Sequence, residues 1–211
     1  MKRLFALILS FILLCAFCGV AFAQTDEPED APQDEQTQEI DAKVYTNTLH
    51  GYTFAMPAEW AVIGSGSTEE DLTFAYDVIG YSEVNAIKSS ITPENDALFC
   101  FSEGKRNGLI LIYGPAGGAS NDTYIDSMDE IKLALQNEYG AAVIRFVNEG
   151  CTTYTFNSIA EILQLQFQYS QYMFYQYYLV SGSNVYIFTF FGPDAGFANT
   201  AQASLASFKL L

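Results

Sequence analysis

The chain has 211 residues, half of them hydrophobic and 15% aromatic, so it carries enough apolar material for one sizeable core. Its formal net charge is −16, from 9 Lys and Arg against 25 Asp and Glu. That sign excludes the ordinary electrostatic routes to nucleic-acid phosphates and to anionic membrane surfaces.

Residues 1–23 read as a secretory signal peptide. A basic "MKR" precedes the apolar run "LFALILSFILLCAFCGV", and Ala-Phe-Ala at 21–23 is a small-x-small cleavage pattern before Gln24. The length of the run also admits an uncleaved anchor. Residues 24–43, "QTDEPEDAPQDEQTQEIDAK", are acidic and nearly free of apolar side chains. Such a segment cannot bury enough surface to offset its ordering entropy, so a disordered, solvated linker is expected there. The folded domain is expected over residues 44–211.

"KVYTNTLHGYTFAMP" alternates on either side of "LHG" and reads as a β-hairpin turning at Gly51. In "GSGSTEEDLTFAYDV", Ser67 or Thr68 is placed to cap a short helix that opens on acids. "SEVNAIKSS" is a second helical segment. "DALFCF" and "GLILIYG" read as strands joined by the turn "SEGKRN". The loop "PAGGASNDT" leads to the clearest helix, capped by Asn121 or Asp122 and ended by Gly140, with Tyr124, Met128, Ile131 and Leu135 on one face. "AAVIRFV" reads as a strand, "NEG" as a tight turn and "CTTYTF" as the strand after it.

Three β-rich segments follow. In "SIAEILQLQFQY", Leu163, Leu165, Phe167 and Tyr169 alternate with Gln164, Gln166 and Gln168, the mark of a sheet with one wet face. "YMFYQYYLV" and "NVYIFTFF" are apolar on both faces, as central strands covered twice would be, and "SGSN" turns between them. In "GPDAGFANTAQASLASFKLL", Asp194 is placed to cap a closing helix lined by Phe197, Ala201, Leu205 and Phe208. Several antiparallel strands with helices, and no alternating βαβ pattern, make the fold class α+β.

Candidate chemistry is sparse. His50 is the sole histidine and falls in the hairpin turn, where an exposed residue is expected. "GPAGGAS" lacks the Gly-Lys-Ser/Thr ending of a phosphate loop. The carboxylates include Glu69, Glu70, Asp71, Asp126, Asp129 and Glu130, but nothing selects a pair for acid-base work. No catalytic residue, cofactor-binding residue, metal ligand or cofactor is expected. Cys100 and Cys151 admit one intramolecular bridge or two separate buried thiols. The aromatic run from Tyr169 to Phe191 reads as a doubly covered sheet core, with Tyr172, Tyr175 and Tyr178 as the side chains able to reach a partner near a strand end.

The opening "VYTNTLHGYTFAMPAEWAV" resembles the PsbP-like domains, including their bacterial DcrB-like exported branch. The resemblance rests on Tyr45, Asn47, Gly51, Tyr52, Phe54, Pro57 and Trp60, with Ser207 and Phe208 in the closing "LASFKLL". It implies an antiparallel sheet sandwiched by helices, and a non-enzymatic binding or assembly role. The expectation is therefore an exported, non-catalytic domain that binds a protein or cell-envelope component. It has no nucleic-acid partner and no membrane contact beyond the signal peptide. A small-ligand-binding domain is the alternative, and a carboxylate-dependent hydrolase the more distant one.

Overall fold

The computed structural model describes residues 42–91, 97–105, 107–156, 158–193 and 197–211, without the side chains of 105 and 151–160. The expected signal peptide, most of the linker (24–41) and the cap at Asp194 lie outside these residues. Two antiparallel sheets and five helices make up the described chain, an α+β architecture.

The small sheet pairs β1 (Ala42–Asn47) with β2 (Tyr52–Pro57) and β2 with β10 (Lys209–Leu210). Ala42 and Lys43 already belong to β1, so the ordered sheet begins two residues before the expected boundary at Val44. The reason is tertiary: Ala42 and Lys43 pair with Pro57 and Met56 of β2, and Lys43 Nζ donates to the Trp60 carbonyl at 2.6 Å and lies 4.8 Å from the Phe74 ring centre.

The large sheet runs β3 (Ala61–Ile63), β4 (Ala97–Phe101), β5 (Gly108–Pro115), β9 (Asn184–Gly192), β8 (Tyr172–Ser181), β7 (Ser158–Tyr169), β6 (Ile144–Phe156) in spatial order. Every neighbouring pair is antiparallel. Successive side chains of a strand point to opposite faces, and here both faces are buried. On β9, Val185, Ile187 and Phe191 enter one core, whereas Tyr186, Phe188 and Phe190 enter the other. The first core is closed by α1 (Glu69–Ile79), α2 (Tyr81–Ser90), α3 (Asn121–Asp126) and α4 (Met128–Tyr139). The second is closed by the small sheet and α5 (Phe197–Ser207).

The local signals explain most of these elements. Thr68 caps α1 in a reciprocal box: its hydroxyl accepts from the Asp71 amide at 3.1 Å, and the Asp71 carboxylate accepts from the Thr68 amide at 2.8 Å. The mid-chain helix differs from expectation in two ways. Ser120, not Asn121 or Asp122, is its cap, and it divides at Ser127 into α3 and α4. The Asn121 carboxamide is otherwise engaged, accepting from the Val180 amide at 2.7 Å and pinning α3 to β8. Gly140, at φ 89°, ends α4 as expected.

"NEG" is not a turn. β6 runs through it from Ile144 to Phe156, absorbing an extra residue between Phe146 and Asn148 as a bulge. The extra residue is Val147, and Asn148, Glu149 and Gly150 then pair in order with Gln166, Leu165 and Gln164, so the turn-like composition sits inside an unbroken ladder.

Candidate functional site

The hairpin signature is a plug. Tyr45, Tyr52, Phe54, Met56 and Trp60 are all buried, and Trp60, 1% exposed, stacks on Phe197 of α5 at 5.8 Å between ring centres. Pro57 ends β2, and its carbonyl accepts from the Trp60 amide at 3.1 Å, folding the chain back so the indole enters the core. Gly51 turns the hairpin at φ 65°, a conformation that disfavours a side chain. Its carbonyl accepts from the Leu211 amide at 2.8 Å, and Ser207 Oγ accepts from the Ala55 amide at 2.7 Å. The first and last segments of the domain are thereby tied together.

His50 is not an exposed turn residue. It is half-buried and joins three elements. Its backbone amide donates to Asn47 Oδ1 at 3.0 Å, its Nε2 lies 3.0 Å from Ser65 Oγ, and its Nδ1 is hydrogen-bonded to the Tyr113 hydroxyl of β5. Asn47, 1% exposed, also donates through Nδ2 to the Tyr52 hydroxyl at 3.2 Å. A Cβ on Gly66 would stand 2.9 Å from the Asn47 carboxamide, so glycine there permits the close approach. Serine, histidine and an orienting group in hydrogen-bonded order is the arrangement of an activated nucleophile. The group hydrogen-bonded to His50 Nδ1 here is a tyrosine hydroxyl, where the Ser-His-Asp arrangement has a carboxylate. The cluster works as a polar joint between the hairpin tip, the loop after β3 and the end of β5. Sequence reasoning missed it because its members lie at 47, 50, 65 and 113, and only tertiary packing brings them together.

The tyrosine candidates divide. Tyr175 and Tyr178 are buried at 2% and 1%, on opposite faces of β8, whereas Tyr172 is half-buried against Phe191. Tyr178 stacks on Tyr124 of α3, and its hydroxyl donates to Gln176 Oε1 at 2.6 Å. Gln176 Nε2 in turn donates to Thr189 Oγ1 at 3.0 Å, making a buried polar row beneath α3. Burial pushes the Tyr178 hydroxyl far up from its ordinary range and pushes the Tyr177 hydroxyl up to about 12. Tyr177 Oη is buried without a hydrogen-bond partner among the described residues.

Cys100 is a free thiol, wholly buried in β4, and desolvation raises it far above its usual range. Backbone pairing places Cys151 opposite Leu163 on β6, at the far edge of the sheet. Four strands separate β4 from β6. At ~4.8 Å per strand spacing that is roughly 24 Å along the sheet, against the ~7 Å limit between bridged Cα atoms. The strand order thus sets the two cysteines apart, and the Cys151 side chain lies outside the described ones.

The "PAGGAS" loop is anchored by the Ala116 amide, which donates to the Ser183 carbonyl at 2.7 Å. The described residues hold no group of three or more His, Cys, Asp or Glu side chains placed to share a metal ion, and no helix among them is long and apolar enough to cross a membrane.

The remaining feature is the rim at β6 and β7. Arg145 stands opposite Gln168, and Asn148 opposite Gln166. Gln164, Gln166 and Gln168 are partly exposed, as the alternation predicts. At the β7–β8 turn lies a groove of about 420 Å³ lined by Val143, Arg145, Gln168, Tyr169 and Ser170. Among the described residues no strand pairs with the outer edge of β6; Val147 in the strand is 48% exposed, and Val143 in the turn before it 53%.

With this geometry in hand, comparison with solved structures finds similarity to the cyanobacterial PsbP of Synechocystis sp. PCC 6803. The identity is 10% and the TM-score 0.48, over 85% of this chain and 98% of that one. A crystal structure from Bacteroides thetaiotaomicron VPI-5482 is similar at 9% identity and TM-score 0.37, over 80% of this chain and 48% of that one. No family model matches the sequence. No curated protein matches it either.

Proposed function

We propose that this chain is an exported, non-catalytic binding domain of the PsbP-like and DcrB-like kind, and that it docks an extended segment of a cell-envelope protein along the outer edge of β6. The observation that carries this reading is the edge itself. It is a 13-residue strand at the border of the sheet, unpaired on one side among the described residues, with Val147 turned to solvent and exposed Val143 in the turn just before it. Such an edge offers a row of backbone donors and acceptors, and side-chain contacts at alternate positions give selectivity. The signal-like residues 1–23 support export, and the charge of −16 favours a partner segment that is neutral or basic along its length, with exposed Arg145 the local exception at the rim.

The test is affinity capture from envelope extract with the full chain and with Val147→Lys. A partner recovered by the natural chain and lost with the lysine variant supports the reading. A partner retained equally by both, or a substrate turned over by the purified chain, overturns it.

A further inference from the structure

The groove at the β7–β8 turn differs from the rest of this acidic surface. Lys43 is engaged by the Trp60 carbonyl and the Phe74 ring, and Lys132 by Asp129, Glu149 and the Phe146 ring. Arg145 is exposed and makes no ion pair among the described residues, although 25 acids are spread along the chain. Lys88 and Lys209 are exposed as well, but neither lines this groove.

The walls around Arg145 are set. Tyr169 is half-buried and its ring packs on Tyr139 at 5.1 Å, which holds it as a fixed surface. Gln168 Nε2 donates to the Ser170 carbonyl at 3.4 Å, a long bond that aims the amide across the turn and leaves Oε1 for another donor. Tyr169 pairs with Tyr172, so Ser170 and Gln171 form a two-residue hairpin loop. Ser170 takes φ 55°, a left-handed conformation that glycine would adopt at less cost. The chain instead keeps a hydroxyl-bearing residue at the groove's lip.

We propose that this groove binds a small carboxylate. A guanidinium offers a planar fork that pairs with a carboxylate through two parallel hydrogen bonds, which a lysine cannot reproduce. The Gln168 amide and the Ser170 hydroxyl take the polar groups of the ligand's body, and the Tyr169 ring and Val143 take its apolar edge. The groove is shallow and open to solvent, about 420 Å³, so a sugar ring or a peptide end would lie against its wall with one side in water. Both a sugar acid and a free peptide terminus carry this chemistry. The inference rests on the reading of the β6 rim as a binding surface, since an antiparallel strand added there would end beside Arg145.

The experiment is calorimetric titration of the full chain with sodium glucuronate and with N-acetyl-Ala-Ala, each beside its neutral counterpart, glucose or N-acetyl-Ala-Ala-amide. At least one carboxylate is expected to saturate at a dissociation constant of about 1 mM or tighter, with its neutral counterpart about tenfold weaker. Arg145→Gln is expected to lose about tenfold, and Arg145→Lys to recover part of it. Saturation by glucuronate alone names a sugar acid, and by the dipeptide alone a chain terminus. The proposal is overturned if neither carboxylate saturates, if the neutral compounds bind equally, or if Arg145→Gln binds as the natural chain does. If Arg145→Gln still captures the envelope partner while no carboxylate binds, the groove proposal fails and the edge-docking reading stands. If a carboxylate binds through Arg145 while Val147→Lys leaves partner capture intact, the reverse holds.

Discussion

The two ends of the seven-stranded sheet are built on opposite terms. At one end β3 has three residues, all buried, and Trp60 lies just before it beneath α5. At the other end β6 has 13 residues, a bulge, and side chains in solvent. Both ends face the same problem, since an edge strand leaves backbone groups unpaired. The first solves it by being short and covered. No strand among the described residues pairs with the second, and a cation and a groove lie beside it. The contrast separates residues that hold the domain together from residues available to a partner.

The sharpest way to break this contrast is at the closed end. Trp60→Ala is expected to lower unfolding free energy by about 3–5 kcal/mol, as large-to-small core changes do, measured by urea denaturation. A loss under about 1 kcal/mol would mean that the indole does not close the core. Next comes the polar joint. Asn47→Ala removes the acceptor of the His50 amide and the donor to Tyr52, and is expected to cost about 1–3 kcal/mol in the same assay.

The middle of the sheet gives a paired test. Tyr178→Phe leaves Gln176 Oε1 without its donor and should cost about 1–2 kcal/mol, whereas Tyr177→Phe removes a hydroxyl with no partner among the described residues and should be near neutral. Tyr177 also gives a pH signature. Its hydroxyl is raised in the folded state from 10.0 to about 12, so the unfolded chain gives up this proton first. The stability tied to it is complete below pH 10 and is lost as pH rises toward about 12. Tyr177→Phe should therefore flatten the alkaline limb of the stability profile, and an unchanged limb would show that its hydroxyl is not shielded from water. The smallest effect is expected at the open end. Arg145→Gln should shift stability by less than about 0.5 kcal/mol while changing carboxylate binding. A large loss there would make Arg145 a structural residue and erase the difference between the two ends.

Much of the fold was legible before any coordinates. The period of two in "ILQLQFQY" set one wet face on β7, and the apolar runs of β8 and β9 announced strands covered on both sides, because side chains alternate along a strand wherever no bulge intervenes. The cap of α1 was narrowed to Ser67 or Thr68 and the Gly140 stop was readable from residue type, since caps are local chemistry, and the structure selects Thr68. The continuity of β6 through "NEG" was not readable, because those residues carry the composition of a turn and only the pairing partner β7 keeps them extended.

The site divides along the same line. By itself the sequence determined the α+β class, the alternation of the sheet and the hairpin ended by Pro57, all of which follow from contacts between near neighbours. Tertiary structure alone decided that His50 meets Ser65 and Tyr113, that Cys100 and Cys151 lie on strands far apart, and that Arg145 faces a groove. Those facts depend on which strands become neighbours. Strand order is fixed by burying two apolar faces at once, a condition on the whole chain that no single stretch of residues encodes.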